Sequence, residues 1–178
     1  MKNNDEFLEK KIAAAQYIEE RDYWLNKLSD PPGKSIFPVD HRTSIPPGVF
    51  AGVEFSLEGA LFSRLSELSK GSLYTQHIIL LAGLTALVRR YTGAPDTLLG
   101  TPVYRQDTAG DLLNTALVIR NRSDEEMTFK DLLIMVKQTV VEAAQHPAYP
   151  VEILPEMLNM PDSGDGFPLF DIVLLITD

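Results

Sequence analysis

His146-Pro147-Ala148-Tyr149-Pro150-Val151-Glu152-Ile153-Leu154 follows a long amphipathic segment and opens a short second one. Upstream of it, Phe129, Leu132, Leu133, Val136, Val140 and Ala143 recur at helical spacing, with Lys130, Lys137, Gln138 and Glu142 between them. That pattern predicts a helix with its apolar stripe turned inward. Thr128 opens it, and Asp131 falls in the first turn, where a carboxylate is favoured by the helix dipole. His146 falls just past its C-terminus, where the same dipole favours an imidazolium. A short helix from Val151 to about Leu158 comes next, with Glu152 in its first turn beside Tyr149, a pair that reads as an N-terminal helix anchor.

Working outward, Asp5 to Leu28 is rich in Glu, Lys, Ala and Leu without Gly or Pro and reads as a helix, stopped by Asp30-Pro31-Pro32-Gly33. A proline-rich stretch runs to Gly52. Val53, Phe55 and Leu57 alternate with Glu54 and Ser56, the period of a half-buried strand, and Leu61, Leu65 and Leu68 then recur at helical spacing. Thr75 is expected to cap a strongly apolar helix that runs to about Tyr91 and ends at Thr92-Gly93-Ala94-Pro95. Apolar residues nearly encircle that helix, so it should be central.

Leu98 to Tyr104 and Ala116 to Arg122 read as strands; a turn at Pro161 to Gly166 and a final apolar strand, Leu169 to Ile176, close the sequence. This order predicts a mixed β-sheet covered by helices, in the α/β or α+β class. A sheet ending at that last strand leaves an edge of unpaired main-chain groups, so the expectation is an excised or truncated lobe.

Composition narrows the function classes. The 178 residues suit one compact domain or about half of a larger one, and 44% apolar with 23% charged residues is ordinary for a folded chain. There is no cysteine, which excludes disulfides, thiol nucleophiles and cysteine-ligated metals. A net charge of -9 argues against nonspecific binding to nucleic acid or to an anionic membrane. Neither a signal-peptide core nor an apolar run of spanning length occurs, so the expected location is cytoplasmic. The arginine pairs Arg89-Arg90 and Arg120 with Arg122 read as solvated helix or strand ends rather than an anion site.

The opening stretch resembles the HQDYPFExL signature of the condensation domains of nonribosomal peptide synthetases, with His146, Tyr149, Pro150, Glu152 and Leu154 in register. Arg21-Asp22-Tyr23-Trp24-Leu25-Asn26-Lys27-Leu28 looks like the family's YWLxxL helix, and Tyr91-Thr92-Gly93 with Asp96 like its RYxGxxD turn. Gly100-Thr101-Pro102-Val103 with Arg105 is similar to GxPVxxR, one residue shorter. Gly110, Asn114, Thr115 and Arg120 resemble GxFVNTxxLR, with one residue more between Asn114 and Arg120 than the family has. Phe167-Pro168-Leu169-Phe170-Asp171-Ile172 looks like the NPLFDV end of RDxSRNPL, whose two arginines are replaced by Asp162 and Gly166.

What the resemblance implies is one chloramphenicol-acetyltransferase-like lobe of two, the second, incomplete at its C-terminal end, with residues 1–30 as a lead-in helix and 31–178 as the partial lobe. In the family, carrier proteins bring phosphopantetheine-tethered groups to a tunnel between the lobes, where an amine attacks a thioester. No cofactor is expected on this chain itself; phosphopantetheine would arrive on partner carriers. Arg105, Gly110, Asn114, Thr115, Arg120, His146, Tyr149, Pro150, Glu152, Pro168, Phe170 and Asp171 are the motif residues, expected to be structural or to line the tunnel. The expected partners are adjacent adenylation or carrier domains, with self-association through the exposed sheet edge as an alternative. Met1 followed by a hydrophilic helix reads as a natural start, which would make the chain a remnant at the front of an initiating module.

Amide formation from a thioester needs an amine held at the carbonyl and a positioned group to manage its proton. The family's HHxxxDG is not among these residues: no two of His41, His77 and His146 are adjacent, and the residues four beyond them are Ile45, Leu81 and Pro150. His77 reads as a core or capping residue, His146 as structurally placed and His41 as exposed, so no catalytic residue is assigned. Asn114 is weighed between a tunnel strand and simple satisfaction of backbone groups at a strand start, and the second is preferred. No GxSxG, HExxH or glycine-rich phosphate loop supports a second enzyme class. Three readings stand: a lobe inactive by itself, a pure interaction module, and a half-enzyme complemented by a chain that carries HHxxxDG.

Overall fold

The computed structural model describes residues 17–31, 33, 35–38, 51–102, 116–161 and 167–176. Helix α1, Ile18–Lys27, is the described part of the expected Asp5–Leu28 helix, and it buries Trp24. Helix α2, Gly59–Ser69, ends in the left-handed Lys70, and Gly71 continues with φ 72°. Helix α3, Leu73–Thr92, then leaves at a 116° bend.

Two expectations in this region are corrected. Ser72 caps α3, its hydroxyl accepting the Thr75 N–H at 3.3 Å, so Thr75 supplies the capped amide instead of the cap. Lys70 and Gly71 reverse the chain early enough to put Ser72 in extended backbone, which is what an N-cap requires. The Val53–Leu57 alternation forms no strand: Val53 is 90% exposed and Phe55 81%, because no described strand lies beside them to complete a ladder.

The end of α3 is as expected, with Gly93 in the left-handed region at φ 70° and Pro95 two residues on. Its buried side is His77, Ile78, Leu81, Ala82, Thr85 and Val88. The helix is central but not encircled, since Leu87 is exposed.

Strand β1, Asp96–Pro102, pairs antiparallel with β2, Ala116–Arg122, in a register that runs from Asp96 opposite Arg122 to Pro102 opposite Ala116. On the other edge of β1, Gly100 bridges Val173 in parallel: the Gly100 N–H donates to the Ile172 oxygen at 2.8 Å, and the Leu174 N–H to the Gly100 oxygen at 3.1 Å. The expected Leu169–Ile176 strand is thus a single bridge among the described residues. The sheet itself is antiparallel and covered by helices, and the expected mixed sheet comes down, among the described residues, to this one parallel bridge at its edge.

Helix α4, Phe129–Gln145, carries a full capping box: Thr128 accepts the Asp131 N–H, and the Asp131 carboxylate accepts the Thr128 N–H. Its stripe of Leu132, Val136, Val140 and Ala143 is buried against β2 and α3, but Phe129, expected in that stripe, is half exposed at the helix start. The short helix after Pro150 is a 3₁₀ turn, Val151–Ile153, followed by α5, Leu154–Met157. The core joins Trp24 and Leu28 to Leu98, Ile119, Leu154 and Leu169, so elements from both ends of the sequence close over the sheet.

Candidate functional site

Arg120 is the most heavily engaged of the family-motif residues. Its position in β2, opposite Leu98, puts it on the same sheet face as Asp96, two residue pairs along the register, the diagonal that a long side chain spans. Its Nη2 lies 2.7 Å from Asp96 Oδ2 and its Nε 3.1 Å from Oδ1, a fork-on-carboxylate pair. The remaining donors reach the carbonyls of Lys27 at 3.2 Å, Ser29 at 2.7 Å and Asp30 at 2.8 Å. Those carbonyls belong to the end of α1 and the turn after it, where helical partners run out, so a buried guanidinium ties α1 to the sheet. Asp96 also receives the Arg122 Nε at 3.1 Å. The expectation that Arg120 and Arg122 are solvated strand ends holds for Arg122 and is corrected for Arg120.

Beside this cluster opens a cavity of about 470 Å³ lined by Tyr23, Asn26, Lys27, Arg120, Arg122, Met135 and Thr139. Lys27 pairs with Glu142 at 2.9 Å, and Gln138 donates to the same carboxylate at 3.0 Å. Those hydrogen bonds hold the Glu142 carboxyl below its ordinary range. Burial, with the Glu142 charge behind it, pushes the Tyr23 phenol up to about 12, so Tyr23 stays neutral throughout the physiological range. The basic groups here are largely matched by acidic neighbours, and the polar contacts serve to fix α1 against β2 and α4.

His146 caps α4 and stacks on Tyr23, with ring centroids 3.9 Å apart and planes 15° apart. Its backbone oxygen accepts the Trp24 indole N–H at 2.9 Å. Tyr149, Pro150 and Leu154 are buried next to it, whereas Glu152 is exposed in the first turn of the 3₁₀ segment. Pro168 is half-buried, Phe170 packs on Gly100 and against Phe167, and Asp171 is exposed. Arg105, Gly110, Asn114 and Thr115, like His41, lie outside the described residues.

His77 is fully buried on α3, with Nε2 2.7 Å from the Thr101 hydroxyl on β1. Burial lowers its pKa, so the imidazole is held neutral inside the core. His77 and His146 are therefore on different elements with different partners, and the structure brings no pair of imidazoles together among the described residues. No group of three or more His, Asp or Glu that could hold a metal occurs among them either. Sequence reasoning missed Asp96 and Thr101 as partners. Each is fixed by strand register, which a one-dimensional pattern does not carry.

The family profile described as "Condensation domain" matches residues 5–177. Bacitracin synthase 1 of Bacillus licheniformis is 32% identical over 163 residues, which are 88% of this chain and 3% of that protein. Tyrocidine synthase 2 of Brevibacillus parabrevis is 35% identical over 171 residues, 90% of this chain and 5% of that protein. The chain thus spans a few per cent of these curated relatives. Among solved structures, the X-domain in its complex with OxyB from teicoplanin biosynthesis superposes with a TM-score of 0.74 at 25% identity. That match covers 87% of this chain and 35% of the other. The starter condensation domain of rhizomide synthetase, in complex with C8-CoA and Leu-SNAC, gives 0.66 at 20% identity, again over 35% of its length. The fold is the chloramphenicol-acetyltransferase-like one that the motifs implied, present here as a part, and the chain belongs to the condensation-domain family of nonribosomal peptide synthetases.

Proposed function

We propose that residues 1–30 lead into a partial second lobe, residues 31–178, which acts as a structural or interaction lobe of a peptide synthetase in the cytoplasm and does not form amide bonds by itself. The observation that carries this reading is the placement of the histidines. His77 is sealed against Thr101 and His146 is stacked on Tyr23, so neither stands over an open site as a proton-handling base would.

The thioester chemistry would come with phosphopantetheine arms on partner carrier proteins. Asn114 and Thr115, which the resemblance sets along the tunnel, lie outside the described residues, and no step is assigned to them. In an initiating module the lobe would pack against an adenylation domain.

The test supplies the purified chain with acyl- and aminoacyl-loaded carrier proteins and follows amide product by mass spectrometry. No product above the background without the chain is expected; turnover would overturn the reading. Deleting residues 1–178 from a parent synthetase should reduce its solubility or its amino-acid loading, and unchanged values of both would count equally against it.

A second reading, an interaction module or a half-enzyme awaiting a chain with HHxxxDG, is favoured by the exposed edge at Val173 and Leu175. Amide formation on mixing with such a chain would select it.

A further inference from the structure

We propose that the cavity between α1, β2 and α4 binds a small organic carboxylate, gripped by the free fork of Arg122 with Tyr23 and Asn26 as its neutral partners. This goes beyond the reading of the chain as a structural or interaction lobe and does not depend on it. The walls of the cavity are three elements that the described contacts fix to one another: Arg120 ties α1 to β2, and the Lys27–Glu142 pair ties α1 to α4. Its volume of about 470 Å³ falls toward the small end of ligand sites, which run roughly 300–1,000 Å³.

Charge selects an anion. Lys27, Arg120 and Arg122 line the cavity, and the carboxylates paired with them are Asp96 and Glu142, so one positive charge is left over in a chain whose net charge is -9. Asp131, further along α4, has its carboxylate on Thr128. Arg120 has its donors engaged by Asp96 and the carbonyls at the end of α1. Arg122 gives Asp96 only its Nε, so both Nη groups, the fork that fits a carboxylate, have no partner among the described residues.

Two neutral groups complete the site. The Tyr23 hydroxyl is buried, stays protonated through the physiological range and has no hydrogen-bond partner among the described residues. A buried donor left unpaired is destabilising, and an acceptor that relieves it enters by the cavity that Tyr23 lines. The Asn26 side-chain amide, on the same wall, also has no partner among the described residues. A singly charged group matches the single excess cation, whereas a phosphate dianion would bring a second negative charge up to Asp96 and Glu142. Met135 and the Tyr23 ring give the carbon skeleton an apolar wall.

The probe is isovalerate, titrated into the isotopically labelled chain, with its neutral isostere isovaleramide and inorganic phosphate alongside. Nuclear magnetic resonance reads the Arg122 Nε–H and the Asn26 side-chain amide. Saturable shifts at both groups are expected with isovalerate, and binding about tenfold weaker with either comparison compound. Arg122→Gln should weaken isovalerate about tenfold, and Tyr23→Phe, which keeps the ring that stacks on His146, about fivefold. The Arg122 side chain is largely exposed, so its variant should keep the thermal transition of the fold. Isovaleramide or phosphate binding as well as isovalerate, an affinity indifferent to both substitutions, or no saturation in the millimolar range overturns the site.

Discussion

The indole Nε1 of Trp24 donates to the backbone oxygen of His146 across 2.9 Å, linking α1 to the residue that caps α4. Tyr23, next to Trp24, stacks on the His146 ring, so two consecutive residues of α1 hold the same capping residue by its carbonyl and by its imidazole. The segment that carries the family motif is therefore positioned by α1.

Trp24→Phe keeps most of the buried ring and removes the donor, leaving the His146 oxygen without its indole partner. The expected loss is about 1–3 kcal/mol, the cost of an unsatisfied buried acceptor plus a partial cavity. Urea denaturation of the two proteins measures it. Equal midpoints would mean that the carbonyl finds another donor and that the link is incidental.

Gly100 is the position where side chains leave no room. A Cβ there would lie 2.7 Å from both a ring carbon of Phe170 and a methyl of Val173. Gly100→Ala should push residues 169–174 off the edge of β1 and cost about 1–3 kcal/mol, as overpacking generally does. Amide hydrogen exchange should rise at Leu174, whose N–H donates to Gly100, while the β1–β2 ladder keeps its protection. Uniform protection in the variant would refute this account of the edge.

Arg120 joins three carbonyls at the end of α1 to a carboxylate on β1, and its side chain is 4% exposed. Arg120→Met removes the charge from a buried cluster and leaves Asp96, among the described residues, with the exposed Arg122. A loss of about 3–5 kcal/mol is expected, as for other buried pairs broken from one side. The double variant Arg120→Met with Asp96→Leu should recover part of it. Additive losses would show that the two side chains act independently.

Much of the helical framework was legible because helices advertise their ends locally. Thr128 and Asp131 form the box that their spacing announces, and Gly93 before Pro95 stops α3 where expected. Ser72 and Thr75 are both cap-type residues three apart, and only the reversal at Lys70 and Gly71 decides between them. Strands carry no such local signature of partnership. Val53 to Leu57 and Leu169 to Ile176 both look like strands by pattern, but one gains no neighbour and the other a single bridge among the described residues. The site divides the same way: Arg120 and His146 stand out through the family motifs. Their contacts with Asp96, the end of α1 and Tyr23 depend on register and on distant packing.

His77 makes the fold sensitive to mild acid, with a sign that follows from burial. The imidazole is fully buried, and desolvation lowers its pKa below that of the exposed side chain, about 6.5 in an unfolded chain. Below about pH 6.5 the unfolded chain binds a proton that the folded chain still refuses, so stability falls as pH drops from there toward the depressed folded value. Above that range the contribution is complete and flat. Glu142 and Asp131, both lowered by hydrogen bonding, add losses of the same sign at lower pH, in the carboxylate range. Subtracting a His77→Gln variant, which keeps a polar group near the Thr101 hydroxyl and cannot titrate, isolates the histidine. Unfolding free energies measured by urea between pH 5 and 7.5 should show the unmodified chain losing stability relative to the variant by up to about 1.4 kcal/mol per pH unit below pH 6.5. Parallel curves for the two proteins across that window would mean that His77 titrates alike in the folded and unfolded chain, and the buried neutral imidazole would have to be abandoned.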